Sequence, residues 1–318
     1  MEILQKGMLT TVQDGGRRGS RQSGVPVCGA MDMHALRLAN LLAGNDWNEA
    51  ALEVTGLGPT LRFEEANIFA IAGADFGPTL DGVAIETNRA HIARKGSVLA
   101  LGAASAGFRA CIAFCGGLDV PLVLGSRSTC MTAGFGGLEG RALQVGDRVG
   151  FRAARAFLPG MALRAVRYDM PKETALRVIP GPQSDSFSEK GKRSFFSGSY
   201  QITPESNRMG YRTKGPAIEY AAGKGPNIIS DGIAPGAIQV PGGQPIILMA
   251  DRQTVGGYAK IGHVISVDLP IIAQMRPGDS VSFAETDVET AQALLRDGAR
   301  RLRNLERELE FSSCAYAY

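Results

Sequence analysis

Short apolar runs broken by turn residues set the terms for this chain. From Leu52 to Phe151, segments such as Ile68–Ala72, Val98–Leu101 and Ala110–Phe114 alternate with stretches such as GADFGPTLDG and GAASAG. Gly, Pro, Asn and Asp close each run before a long helix could form. The chain holds 41 glycines and 16 prolines, which favours a turn-rich β fold over a helical one. The pattern predicts an antiparallel, barrel-like β domain here, and residues 198–302 repeat the same style. With 318 residues the chain exceeds one average domain. The texture changes over 152–175, where prolines and arginines interrupt the pattern. We therefore expect two β-rich domains, 1–165 and 166–318.

Two segments carry helical spacing. In Ala30–Ala43 the residues Met31, Ala35, Leu38, Leu41 and Leu42 share one face, Asp32 falls in the first turn, and Gly44 stands where a C-terminal cap belongs. From Asp287 to Leu309, Val288, Ala291, Leu294, Leu295, Leu302, Leu305 and Leu309 make an apolar face. Thr286 with Glu289 fits a capping box, which predicts a terminal helix. The stretch Leu143–Phe151 reads as a pair of strands around a Gly-Asp turn.

Several functions find no support. The net charge of +3 is too small to argue for nucleic acid, and the excess of 26 Arg over 8 Lys fits biased codon usage. Five cysteines without a CxxC pair make neither a disulfide framework nor a zinc site, and three scattered histidines make no metal centre. A phosphate loop, a GxSxG elbow and a Met-Lys biotin attachment pair are absent. The opening residues carry no secretory pattern and no run reaches membrane-spanning length, so the expectation is a cytoplasmic protein.

Polar clusters sit instead at the ends of apolar runs, where sites are commonly built. Six stand out: Thr10–Arg17, Gly125–Thr129, Pro180–Gln183, Asn207–Arg212, Ser230–Gly232 with Ala237–Pro241, and Asp251–Lys260. In the last, the run Pro245–Ala250 delivers Asp251, Arg252, Gln253, Thr254, Tyr258 and Lys260 around Gly256 and Gly257. A set of Arg, Gln, Asp, Thr, Tyr and Lys suits recognition of a carboxylate, amide or phosphate better than nucleophilic catalysis. Each cluster taken alone also fits a solvated turn.

The strings TTVQDGGRRG, GVPVCGAMD, LEVTGLGPTL, IAGAD, GSRST, IPGPQSDSF, NRMGYR, SDGI with GAIQVP, and ADRQTVGGY follow one another along the chain. In this order they resemble the allophanate hydrolase subunit 2 family, the biotin-dependent carboxyltransferase-like family that includes the C-type subunit of 5-oxoprolinase and KipA. The resemblance implies cyclophilin-like β-barrels and no covalent biotin on this chain. It implies that the chain works with B-type (KipI-like) and A-type 5-oxoprolinase subunits, and that the assembled complex uses ATP to open 5-oxo-L-proline to L-glutamate. Two alternatives stay open: the carboxyltransferase half of a biotin-dependent urea or amide carboxylase, and a KipA-like regulator that binds a KipI-like kinase inhibitor. Matching positions for substrate binding are Gln13, Asp14, Arg17, Arg208, Tyr211, Arg212, Gln239, Arg252 and Thr254; for catalysis they are Asp251, Tyr258 and Lys260. Arg208 or Arg212 is expected to hold a carboxylate or phosphate. Asp251 is expected to orient Arg252 or polarise an amide proton, and Lys260 and Tyr258 to stabilise negative charge on an amide or phosphoryl oxygen.

Overall fold

Strands dominate the computed structural model, which describes residues 1–158, 160–167 and 174–314. The chain divides into two compact units, neither contiguous in sequence. One comprises Met1–Arg18, Cys28–Met170 and Arg300–Tyr318; the other comprises Gly19–Val27 and Pro171–Ala299.

The first unit holds two five-stranded sheets. Leu9–Gln13, Ala51–Thr55, Ala106–Phe114, Asn67–Asp75 and Ala90–Ala93 form one; Glu2–Gln5, Thr60–Arg62, Val98–Ala100 and the short strands Thr79–Leu80 and Val83–Ala84 form the other. Both sheets contribute to one apolar core, in which Ile3, Leu61 and Leu99 meet Val12, Val54, Ile71 and Ile112. Phe63, Phe69, Phe114 and Phe151 cluster within it at centroid distances of 5.3–6.2 Å. The helix Met33–Ala43 covers the other face of the Ala51–Thr55 sheet, burying Ala35, Leu38 and Leu42 against Ala51, Ala70 and Ala72. Asp32 is its N-cap rather than a first-turn residue: its carboxylate accepts from the His34 and Ala35 amides. Gly44 ends the helix at φ 77°, a conformation that glycine adopts without strain.

The stretch Leu143–Phe151 does not form the expected strand pair. Its backbone bonds elsewhere: Leu143 N to Thr10 O, Gly146 N to Ile3 O and Val149 N to Met1 O. The Asp147 carboxylate folds the turn on itself by accepting from the Gln144 amide and from Arg141. Only Gly150–Phe151 is a strand, and it pairs with Leu118–Asp119.

The second unit is built on a closed seven-stranded barrel. In order around it run Ala175–Pro180, Lys260–Val264, Ala237–Gln239, Ile246–Leu248, Gly210–Lys214, Ser199–Ile202 and Ser280–Glu285. A parallel pairing of Ala175–Pro180 with Ser280–Glu285 closes the ring; the other neighbours are antiparallel. Closure leaves this sheet no unpaired edge. Phe195, from the helix Glu189–Ser197, stacks on Phe283 at 4.3 Å between centroids, beside Tyr200. Outside the ring stands a two-stranded antiparallel ribbon, Asn227–Gly232 with Val255–Tyr258, whose strands flank two barrel strands in sequence and whose register is broken by a bulge between Asn227 and Asp231.

The terminal helix runs Val288–Cys314. Its start is capped by Asp287, whose carboxylate accepts from the Thr290 amide at 2.6 Å, instead of by the expected Thr286 box. Residues to Ala299 belong to the second unit and those from Arg300 to the first. There Leu302 and Leu309 join the core under the Met33–Ala43 helix, and Trp47 Nε1 donates to Glu306 at 2.7 Å.

Candidate functional site

The second unit brings most of the sequence candidates together at the barrel rim beside the two-stranded ribbon. Lys260 opens its barrel strand opposite Gln239. Its side chain is 2% exposed, and its Nζ lies 2.9 Å from Oδ2 of Asp231, a ribbon residue whose side chain is 55% exposed. A desolvated ammonium needs a counter-charge, and Asp231 supplies the ion-pair partner. The Lys260 ammonium first, then the Gly232 amide and the Gln183 side chain, hold the Asp231 carboxyl below the usual range.

Gln183 reaches this place because the 180–183 turn lies against the Lys260 strand. Gly181 N donates to Ile261 O, and a Cβ on Gly181 would overlap the Lys260 carbonyl. Gln183 Oε1 accepts from the Lys260 amide at 3.3 Å. The buried Gln239 donates through Nε2 to the Tyr258 carbonyl at 3.4 Å. Gly256 leaves space for that amide, since a Cβ there would lie 2.9 Å from Gln239 Nε2. Tyr258 itself is 42% exposed. On the same strand as Lys260, burial pushes His263 down, and the Lys260 charge adds to this.

A second group braces the Ile233 end of the ribbon. Arg208 and Asp251 are both buried and meet in a two-point ion pair, Nε to Oδ2 and Nη2 to Oδ1, each 2.9 Å. The Asp251 amide donates to the Arg208 carbonyl, so backbone and side chain hold the two together. Arg252, also buried, donates to Ile233 O and Met249 O. Ile233 N donates to Thr254 O, and Arg21 Nη2 reaches Ile233 O at 2.6 Å. The arginines thus grip Ile233, one residue beyond the Asn227–Gly232 strand, while that strand stays exposed; Ile229 is 94% exposed.

Two further candidates lie on the barrel strand Gly210–Lys214. Tyr211 points into the barrel, its hydroxyl donating to Met275 O at 3.3 Å, and Arg212 is exposed on the same strand. Gln13, Asp14 and Arg17 belong to the first unit. Asp14 Oδ1 accepts from Gly16 N, Ser126 Oγ and Ser128 Oγ, and Oδ2 from Arg127 N. Arg17 donates to Val123, Ser126 and Ser128 carbonyls and stands 4.7 Å over the Phe135 ring. The three therefore order the 123–129 loop, although Gln13 Oε1 and Arg17 Nη1 are buried without a hydrogen-bond partner.

Asp231 and Gln183 are absent from the site residues predicted from the sequence, although they stand in the strings SDGI and IPGPQSDSF that carry the family resemblance. Both stand in the strand-end clusters read from the sequence, and those clusters are the signal that points to them.

Residues 23–285 match the family described as carboxyltransferase domain, subdomain A and B. The chain is 39% identical over 307 residues to the 5-oxoprolinase C subunit of Escherichia coli (strain K12), covering 96% of this chain and 97% of that protein. It is 32% identical to urea amidolyase of Saccharomyces cerevisiae, covering 96% of this chain and 18% of that one. The crystal structure of the K. lactis urea amidolyase superposes with a TM-score of 0.88 at 31% identity, over 96% of this chain and 20% of that chain. With the family pattern matched along most of its length and the fold shared, the chain belongs to the carboxyltransferase domain, subdomain A and B family.

Proposed function

We propose that this chain is the C-type subunit of a cytoplasmic, ATP-dependent 5-oxoprolinase that acts with its A-type and B-type subunits to hydrolyse 5-oxo-L-proline to L-glutamate. The observation that carries the reading is the match to the E. coli 5-oxoprolinase C subunit over nearly the full length of both chains. The match to urea amidolyase covers only 18% of that protein. In this reading the rim around Lys260 faces the substrate. Its ammonium supplies positive charge to a substrate oxygen in a water-poor setting, where such charge acts strongly. Gln183 and Gln239 bring side-chain amides, groups suited to a lactam, to the Lys260 strand. Arg208 and Asp251 engage each other and Arg252 engages the backbone, so in this reading they hold the rim rather than touch substrate. ATP is used by the assembled complex.

The fold likeness to urea amidolyase favours one other reading, transfer of a carboxyl group to a urea-like amide. Both are tested by co-purifying the chain with A-type and B-type subunits and measuring ATP-dependent glutamate release from 5-oxo-L-proline. We expect turnover only with all three, and a loss of about 100-fold or more for Lys260→Ala, as for removal of one strong electrostatic contact. A stable complex that releases no glutamate but carboxylates urea in the presence of carboxybiotin would overturn the 5-oxoprolinase reading.

A further inference from the structure

Lys260 and Asp231 are an unequal pair. The lysine is rigidly placed on a closed barrel and almost wholly buried; the aspartate rides on an exposed two-stranded ribbon outside the barrel. Two paired strands alone gain little stability. The bulge between Asn227 and Asp231 re-aims the side chains that follow it. Two residues beyond Asp231, Ile233 is held by Arg252, Arg21 and Thr254. Gly232, between them, has open space around it. Asp231 therefore sits on thinly supported backbone between fixed ends and can turn its exposed side chain away, while the buried Lys260 cannot follow.

We propose that Lys260 anchors a carboxylate-binding site and that Asp231 is its internal occupant, a carboxylate of the protein that the substrate carboxylate displaces. Asp231 presents one oxygen to the ammonium and the other to the Gly232 amide. A free carboxylate offers the same two oxygens, with Gln183 within reach of the same strand. For the identity of the carboxylate the inference rests on the 5-oxoprolinase reading, in which it is that of 5-oxo-L-proline; for its place it rests on the geometry of the rim alone. An internal occupant lowers apparent affinity by the fraction of molecules in which the site is open. It also keeps the buried ammonium from standing uncompensated while the site is empty.

The test is calorimetric titration of the full chain, wild type and Asp231→Asn, with three probes. These are 5-oxo-L-proline, its carboxamide, and cyclopentanecarboxylate, which has the carboxylate but no lactam. Asp231→Asn is expected to bind both carboxylates about five-fold or more tightly than wild type and to leave the carboxamide unchanged. The double variant Asp231→Asn/Lys260→Gln is expected to lose that gain. Equal or weaker carboxylate binding by Asp231→Asn, or no detectable binding, overturns the proposal; a thermal melt checks that this variant, whose buried Lys260 lacks its counter-charge, is folded at the titration temperature, and wild-type binding of 5-oxo-L-proline that Lys260→Gln leaves unchanged overturns the proposal independently. A gain for cyclopentanecarboxylate without one for 5-oxo-L-proline keeps the carboxylate site and overturns the 5-oxoprolinase reading.

Discussion

Two cation–carboxylate pairs in the barrel unit share a contact length and have opposite consequences. Arg208–Asp251 and Lys260–Asp231 both close at 2.9 Å. In the first, both side chains are under 5% exposed and two parallel bonds join them, so neither group can leave without stranding the other. In the second, a buried cation with a single bond meets a carboxylate that is more than half exposed. A planar guanidinium locks onto one carboxylate, whereas a compact ammonium at the tip of a flexible stem accepts any anion that reaches it. Distance alone would rank these pairs equal. Burial of the acidic partner decides which pair is a fixture of the fold and which is exchangeable.

The largest expected effect breaks the fixed pair. Arg208→Ala leaves Asp251 buried without its partner and should cost about 3–5 kcal/mol in urea unfolding. A loss below about 1 kcal/mol would place this pair with exposed ion pairs and erase the contrast. Next comes the ribbon. Gly256→Ala would set a Cβ 2.6 Å from Ile233 Cδ1 and 2.9 Å from Gln239 Nε2, and the crowding should cost about 1–3 kcal/mol. Thermal melts check this, and unchanged stability would show that Ile233 is not held as described.

The smallest effects are those of pH. Asp231 is held below its ordinary pKa, so its contribution is present above about pH 3.9 and is lost as pH falls through the lower folded value. Melting temperatures of wild type and Asp231→Asn should differ by a constant amount near neutrality and converge below about pH 3.9. His34, His91 and His263 are all pushed down by burial. For these the unfolded chain binds more protons, so stability is full above about pH 6.5 and declines as pH falls below it. His263→Asn should flatten that decline, and an unchanged slope would remove His263 from the account.

Much of the architecture was legible because it follows from local chemistry. Turn residues at short intervals predicted the β fold, Gly44 the end of the Met33–Ala43 helix, and the apolar face of Val288–Leu309 the terminal helix. The Leu143–Phe151 strands failed because their backbone partners, Met1, Ile3 and Thr10, lie more than 130 residues away. The site shows the same limit. Nothing local tells that Arg208 will spend its guanidinium on an aspartate 43 residues on. Equally, nothing local tells that Asp231, in the exposed strand Asn227–Gly232, will meet Lys260 across 29 residues. Residue types suggested recognition of a carboxylate, amide or phosphate, and only tertiary pairing shows that Arg208 is engaged by a buried aspartate while Lys260 meets an exposed one.

The interleaving of the two units bears on the order in which the protein can be made. Leu302 and Leu309 complete the core beneath the Met33–Ala43 helix, and Trp47 bonds to Glu306. A ribosome delivering the chain from its N-terminus releases those partners only after the barrel unit. The earlier-made unit must therefore wait with apolar surface on its helix uncovered until Leu302 and Leu309 emerge. Cutting the gene between the two halves would leave that surface permanently bare, so this unit cannot be produced as one uninterrupted N-terminal fragment without an aggregation hazard.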